Sequence, residues 1–133
     1  MCRREQVSCL PYSPLAGGVL SGKYQGGAWP EGARFSWYRE RDARTQVMTK
    51  RFVNERTLAA TERLQQLAKD HGVSLVTFAT AWSLSRDFVG STLVGATRAE
   101  QLDEILAATE LVLTPDALSA VNRISKEIPY PMG

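Results

Sequence analysis

The residues best suited to do chemistry lie in one short stretch, Tyr12-Ser13-Pro14-Leu15-Ala16-Gly17-Gly18-Val19-Leu20-Ser21-Gly22-Lys23-Tyr24. Glycine has no Cβ and lets backbone amides come close to an anion, while lysine supplies a compact counter-charge. The stretch therefore predicts an anion-binding turn, and the question is which phosphate it would hold. Gly17-x-x-x-x-Gly22-Lys23 matches the opening of a nucleotide triphosphatase P-loop, which needs Ser or Thr next to hold its magnesium ion. Here the next residue is Tyr24, whose phenol cannot take that place, and Pro14 interrupts the passage from strand to loop. The triphosphatase reading is set aside, and the plain alternative is a turn with a solvated lysine.

These residues need a framework to position them. Residues 7–12 form a short apolar run, read as a buried parallel strand that stops at Pro14. A long irregular loop is expected over about residues 22–53, where Gly26, Gly27, Pro30 and Gly32 stand among Trp29, Phe35, Trp37, Tyr38 and several arginines without periodicity. Asn54 is placed to cap a helix running to about His71, with Ala60, Leu64 and Leu67 on one face and Gly72 ending it. Ser74 is placed to cap the next, with Leu75, Phe78, Ala79 and Trp82 at helical spacing. Residues 88–94, rich in β-branched side chains, predict a second strand ended by Gly95, giving one parallel βαβ unit with an enlarged crossover.

Beyond that strand, Thr97-x-x-Glu100 reads as a capping box for a helix with Leu102, Ile105 and Leu106 as its apolar stripe. Its N-terminus would favour an anion, with Arg98 adding charge. Thr114 and Pro115 predict the cap and first position of a last helix, with Leu118, Val121, Ile124 and Ile128 inward.

Composition narrows the function classes. A length of 133 residues with 44% hydrophobic and 23% charged residues is ordinary for one globular domain. A complete eight-stranded barrel needs about 200 residues or more. A net charge of +2, with its basic residues scattered, gives no reason to expect nucleic acid as a partner. No stretch approaches the roughly 18 apolar residues of a membrane helix, so no membrane insertion is expected and a cytoplasmic setting is. Cys2 and Cys9 show neither zinc spacing nor a redox Cys-x-x-Cys pattern, and no metal site is expected.

The glycine-rich stretch closely resembles the segment that follows the seventh barrel strand of aldo-keto reductases. A second block, Leu93-Val94-Gly95-Ala96-Thr97-Arg98-Ala99-Glu100-Gln101-Leu102-Asp103-Glu104, resembles that family's strand-eight exit and the helix holding the adenosine 2′-phosphate. Asn54-Glu55-Arg56 and Ile128-Pro129-Tyr130-Pro131 are similar to members near the potassium-channel beta subunits and their bacterial relatives. The fold class implied is α/β: the C-terminal part of a (β/α)8 TIM barrel, strands seven and eight with their helices, helix-rich and incomplete as a barrel. Residues 1–133 would then be one partial oxidoreductase domain.

The resemblance also implies a cofactor, NADP (NADPH), and a small-molecule carbonyl substrate. By it, Tyr12 lies against the nicotinamide, while Ser13, Pro14, Leu15, Ala16 and Gly17 line the pyrophosphate with backbone and hydroxyl, and Lys23 neutralises it. Arg34 closes over the cofactor, and Gly95, Thr97, Gln101 and Glu104 surround its adenosine end. Ile105 stands where the family usually has Asn to hold the adenine. Arg98 suits a 2′-phosphate, because a guanidinium can bind one bidentately.

Catalytic residues are not expected within the chain, since the family's Asp-Tyr-Lys-His set matches nothing here. His71, the sole histidine, sits at a predicted helix C-terminus, and Tyr24, Tyr38 and Tyr130 belong to no recognisable catalytic motif. The chain by itself is therefore expected to be inactive. An alternative is a non-catalytic nucleotide-binding or regulatory interaction module. Two short strands leave open edges, so a homo-oligomer or a complementing N-terminal chain is expected to cover them.

Overall fold

The computed structural model of the chain describes residues 1–132. Seven α-helices are present among them: α1 Cys2–Glu5, α2 Arg34–Tyr38, α3 Ala43–Phe52, α4 Glu55–Asp70, α5 Leu75–Leu84, α6 Gln101–Leu106 and α7 Pro115–Glu127. A 3₁₀ segment, Ala16–Ser21, carries the glycine-rich turn.

The long helices begin where their caps dictate. The Asn54 carboxamide oxygen accepts the Thr57 N–H at 3.0 Å, and Thr57 Oγ1 returns a bond to the Asn54 N–H. Ser74 Oγ accepts the Thr77 N–H, and Thr114 Oγ1 accepts the Ala117 N–H with Pro115 at the first helical position. α4 ends as expected at Gly72, whose φ of +71° a β-carbon would strain.

α5 is the apolar centre. Leu75, Val76, Phe78, Ala79 and Ala81 are all buried. Leu75, Phe78 and Ala81 join Ala68 of α4 and Ala117 and Val121 of α7 in the main core. Its hydroxyls bond along the helix or outward to fixed partners. Thr80 Oγ1 donates to the Val76 carbonyl, Thr77 Oγ1 donates to the Glu104 carbonyl at 2.8 Å, and Ser83 Oγ meets Thr92 Oγ1 at 2.9 Å. The last two tie α6 and the second strand segment to the core.

Three expectations are corrected. Residues 7–12 and 88–94 pair in parallel, but only through isolated bridges, Cys9 with Val89 and Tyr12 with Leu93. Pro11 and Pro14 have no N–H to give, so the ladder reduces to bonds such as Leu93 N–H to the Pro11 carbonyl at 2.8 Å. The first segment is not buried: Val7, Leu10 and Tyr12 are exposed.

The irregular loop expected over about 22–53 contains two helices. Asp42 caps α3 by accepting the Thr45 N–H, with Thr45 Oγ1 bonded in return. Periodicity did not reveal α3 because, of its side chains, only Thr49 is buried, with Phe52 half-buried and Val47 largely exposed. Phe52 instead stacks on Phe35 of α2 at 5.2 Å, closing a second core with Val19, Tyr24 and Ala33.

The capping box at Thr97 and Glu100 is also not formed. The helix starts at Gln101, three residues later than a Thr97 cap would place it, after turns bonded from Gln101 N–H to the Arg98 carbonyl and from Leu102 N–H to the Ala99 carbonyl. Gln101 Oε1, not Glu100, accepts the Thr97 N–H, at 2.9 Å. Of the expected stripe only Ile105 is buried, and Leu102 and Leu106 are exposed.

The chain's end is tied down by side chains at the α3–α4 junction. Asn54 Nδ2 donates to the Pro131 carbonyl, Arg51 Nε to that of Met132 and Arg56 Nη2 to that of Pro129. Asn54→Ala is expected to destabilise the protein by about 1–2 kcal/mol in urea unfolding, because it removes the cap as well as the clasp. Asn54→Ser, which keeps the cap, should recover most of that loss.

Candidate phosphate-binding cleft

A cleft of about 970 Å³ opens between the glycine-rich turn, the approach to α2 and the segment leading into α6. Tyr12, Ser13, Pro14, Leu15, Gly17, Lys23, Arg34, Gly95, Thr97, Arg98, Gln101 and Glu104 all line it. Of the cofactor-binding residues expected from the sequence, Ala16 alone is outside the lining, packed against the aromatic core. Ile105 contributes an apolar wall together with Val76 of α5.

The turn is built differently from the expected amide cradle. The Ala16 N–H donates to the Ser13 carbonyl, that of Gly17 to Ser13 Oγ at 3.2 Å, and that of Gly18 to the Leu15 carbonyl. These amides are engaged within the turn, so its attraction for an anion comes from side chains. The glycines serve close packing instead. A β-carbon on Gly17 would lie 2.8 Å from Phe35 Cζ, and one on Gly18 would lie 2.8 Å from Lys23 Cε. Bare backbone at these two positions lets Phe35 and Lys23 lie flat on the turn.

Charge gathers on one side of the cleft. Lys23 is half-buried, while Arg34 and Arg98 are exposed. Burial, followed by the Arg98 and then the Arg34 guanidinium, holds the Lys23 ammonium below the ordinary lysine range. Among the described residues no carboxylate pairs with any of the three. Glu31 and Glu104 line the same cleft without reaching ion-pair distance. Three converging cations without a counter-ion are electrostatically unfavourable, and a bound dianion or polyanion would relieve them.

Pro30, Glu31, Gly32 and Ala33 also line the cleft, although none is among the cofactor-binding residues expected from the sequence. Their only signal was membership of a loop long enough to be functional. Tyr24 lies outside the cleft, buried in the aromatic core. His71 ends α4 with Nδ1 2.8 Å from the Leu67 carbonyl, and Tyr130 is in the exposed tail.

Together these features define a helix-rich unit with two parallel-paired segments leading into a cationic, glycine-walled cleft. The model of the aldo/keto reductase family matches residues 1–126, and the chain belongs to that family. It is 35% identical over 118 residues to an L-glyceraldehyde 3-phosphate reductase of Escherichia coli O157:H7, covering 88% of this chain and 33% of that protein. It is 33% identical over 125 residues to a probable voltage-gated potassium channel subunit beta of Arabidopsis thaliana, covering 92% and 37%. The structure resembles a glycerol dehydrogenase from Gluconobacter oxydans with a TM-score of 0.69 at 25% identity, over 97% of this chain and 37% of that one. The chain thus spans about a third of the length of the curated relatives it matches. Among the described residues no helix is long and apolar enough to cross a membrane.

Proposed function

We propose that this chain supplies the cofactor-phosphate side of an NADP(H)-dependent aldo-keto reductase, residues 7–12 and 88–94 standing for barrel strands seven and eight. The observation that carries the reading is the convergence of Lys23, Arg34 and Arg98 on one cleft without a carboxylate partner among the described residues. Lys23, deepest of the three, is assigned to the diphosphate. Arg98 is assigned to the adenosine 2′-phosphate, with Thr97, Gln101 and Glu104 beside it and Ile105 offering the adenine an apolar surface. The exposed Tyr12 ring offers the nicotinamide a flat face at the end of its segment. When bound, the nicotinamide supplies the hydride that reduces a small carbonyl substrate.

Calorimetry with NADP⁺ and NAD⁺ tests the assignment. Lys23→Ala is expected to weaken both by about 1.5–3 kcal/mol, as for loss of a charge-assisted bond. Arg98→Ala should weaken NADP⁺ by a similar amount and leave NAD⁺ nearly unchanged. Equal losses for Arg98→Ala would remove the 2′-phosphate assignment. The chain by itself should not turn over aldehydes with NADPH, because it lacks a recognisable Asp-Tyr-Lys-His set.

Exposed Val7, Leu10, Leu93 and Val94 along the paired segments favour assembly, with a second copy or a complementing N-terminal chain on that face. Light scattering across a dilution series should find no lone monomer at micromolar concentration. A regulatory module that keeps the nucleotide site is the second reading, favoured by the likeness to channel beta subunits. Free Cys2 and Cys9 fit a reducing, cytoplasmic setting.

A further inference from the structure

Tyr24 does not line the cleft, yet it stands next in sequence to one residue that does and bonds the neighbour of another. Its side chain is 1% exposed, with the rings of Trp29 and Phe35 each 5.8 Å away. Its phenol oxygen accepts the Phe35 backbone N–H at 3.1 Å in a buried hydrogen bond. Phe35 is the second residue of α2, and amides in the first turn of a helix have no carbonyl partner within it. Ala33, at the cap position, makes no side-chain cap bond, so the Tyr24 hydroxyl fills that role from 11 residues away. The residue before Tyr24 is Lys23, and the residue before Phe35 is Arg34.

We propose that Tyr24 is a positioning residue for this cleft: its hydroxyl holds the start of α2 so that Arg34 and Lys23 act on the same anion. The proposal rests on reading the cleft as an anion site. Two like charges repel, and among the described residues no carboxylate pairs with either. A tether outside the cleft is therefore needed to keep them together when no anion is bound. The Tyr24 bond meets that need because it is buried, where water does not compete for it. The depressed proton affinity of Lys23, caused first by burial, then by Arg98 and then by Arg34, agrees with guanidinium groups held close to the ammonium. Glu31 and Glu104 line the same cleft and work in the opposite direction, so the tether acts on a mixed field.

Tyr24→Phe keeps the ring and removes the acceptor. Two measurements on the 133-residue chain decide the matter. The first needs no ligand: side-chain NMR titration of Lys23. Tyr24→Phe should raise the Lys23 pKa toward the ordinary lysine value, as Arg34→Ala should, and the double variant should go no further than Arg34→Ala. The second is calorimetry with inorganic pyrophosphate and with NADP⁺. Tyr24→Phe should weaken both about three- to tenfold, and should change affinity by less than about twofold once Arg34 is already alanine. A general loss of structure would instead add to the Arg34→Ala effect, and additive losses overturn the proposal. So does a folded Tyr24→Phe protein whose Lys23 titration and affinities match the parent. If circular dichroism shows that Tyr24→Phe unfolds the chain, site-specific 3-fluorotyrosine, which keeps the shape and weakens the acceptor, repeats both measurements. If the parent binds neither pyrophosphate nor NADP⁺, the anion-site reading falls and takes the proposal with it, whereas anion binding that Tyr24→Phe leaves unchanged overturns the positioning role alone.

Discussion

Gly17→Ala is expected to lower stability by about 2–5 kcal/mol and to weaken anion binding at the same time. Gly17 has a φ of +67°, and the left-handed region costs an ordinary L-residue about 1–2 kcal/mol. The new methyl group would also lie 2.8 and 2.9 Å from Phe35 Cζ and Cε2, and overpacking of that kind costs about 1–3 kcal/mol. The Phe35 ring cannot simply withdraw, because Phe52 stacks on it at 5.2 Å and Tyr24 abuts it at 5.8 Å. Any shift of Phe35 is passed to Arg34, its neighbour in the chain and a lining residue of the cleft. Gly26→Ala is the natural control, since Gly26 has φ +63° and nothing within 4 Å of its would-be β-carbon. It should show only the backbone part, about 1–2 kcal/mol. Urea unfolding followed by tryptophan fluorescence measures both, and equal losses for the two variants would mean that Phe35 does not press on the turn.

Phe78→Ala should have the larger effect on stability, about 3–5 kcal/mol, because it empties the centre of the main core. Phe78 is 1% exposed, lies among Ala68, Leu75 and Val121, and has the His71 ring edge-on at 5.7 Å. Many of its neighbours are alanines, too small to swing into the space left behind, so the cavity should persist. The loss should reach the cleft as well, since α5 also bears Val76 on the cleft wall and Thr77, whose hydroxyl holds the Glu104 carbonyl. Phe78→Leu should cost only about 1–1.5 kcal/mol, and Val47→Ala on the exposed face of α3 less than about 0.5. Thermal melting of the three variants checks the order, and a loss for Phe78→Ala no greater than for Phe78→Leu would sink the core assignment.

Local chemistry in the sequence determined where α4, α5 and α7 begin. Asn54, Ser74 and Thr114 each carry an oxygen that accepts a first-turn amide, a bond formed within three residues that needs no tertiary partner. The apolar spacing of α5 and α7 marked buried faces for the same reason: periodicity is a local property of the chain. The glycine-rich turn and the Arg98 region were also legible as a pair of blocks, which is why so much of the cleft's lining could be named by residue.

What tertiary structure alone decided lies where partners are distant in sequence. α3 is mostly polar, and only the burial of Thr49 and the stacking of Phe52 on Phe35 show which side of it turns inward. The bare backbone of Gly17 and Gly18 accommodates Phe35 and Lys23, because a β-carbon at either position would lie 2.8 Å from them. Tyr24, given no positioning role by the sequence, caps α2 across 11 positions. Capping and periodicity are set by neighbours within a turn or two of helix, so the sequence carries them directly. Whether Lys23, Arg34 and Arg98 line one cleft depends on the aromatic core behind the turn and on the tie between α5 and α6, and that packing exists only once the chain has folded.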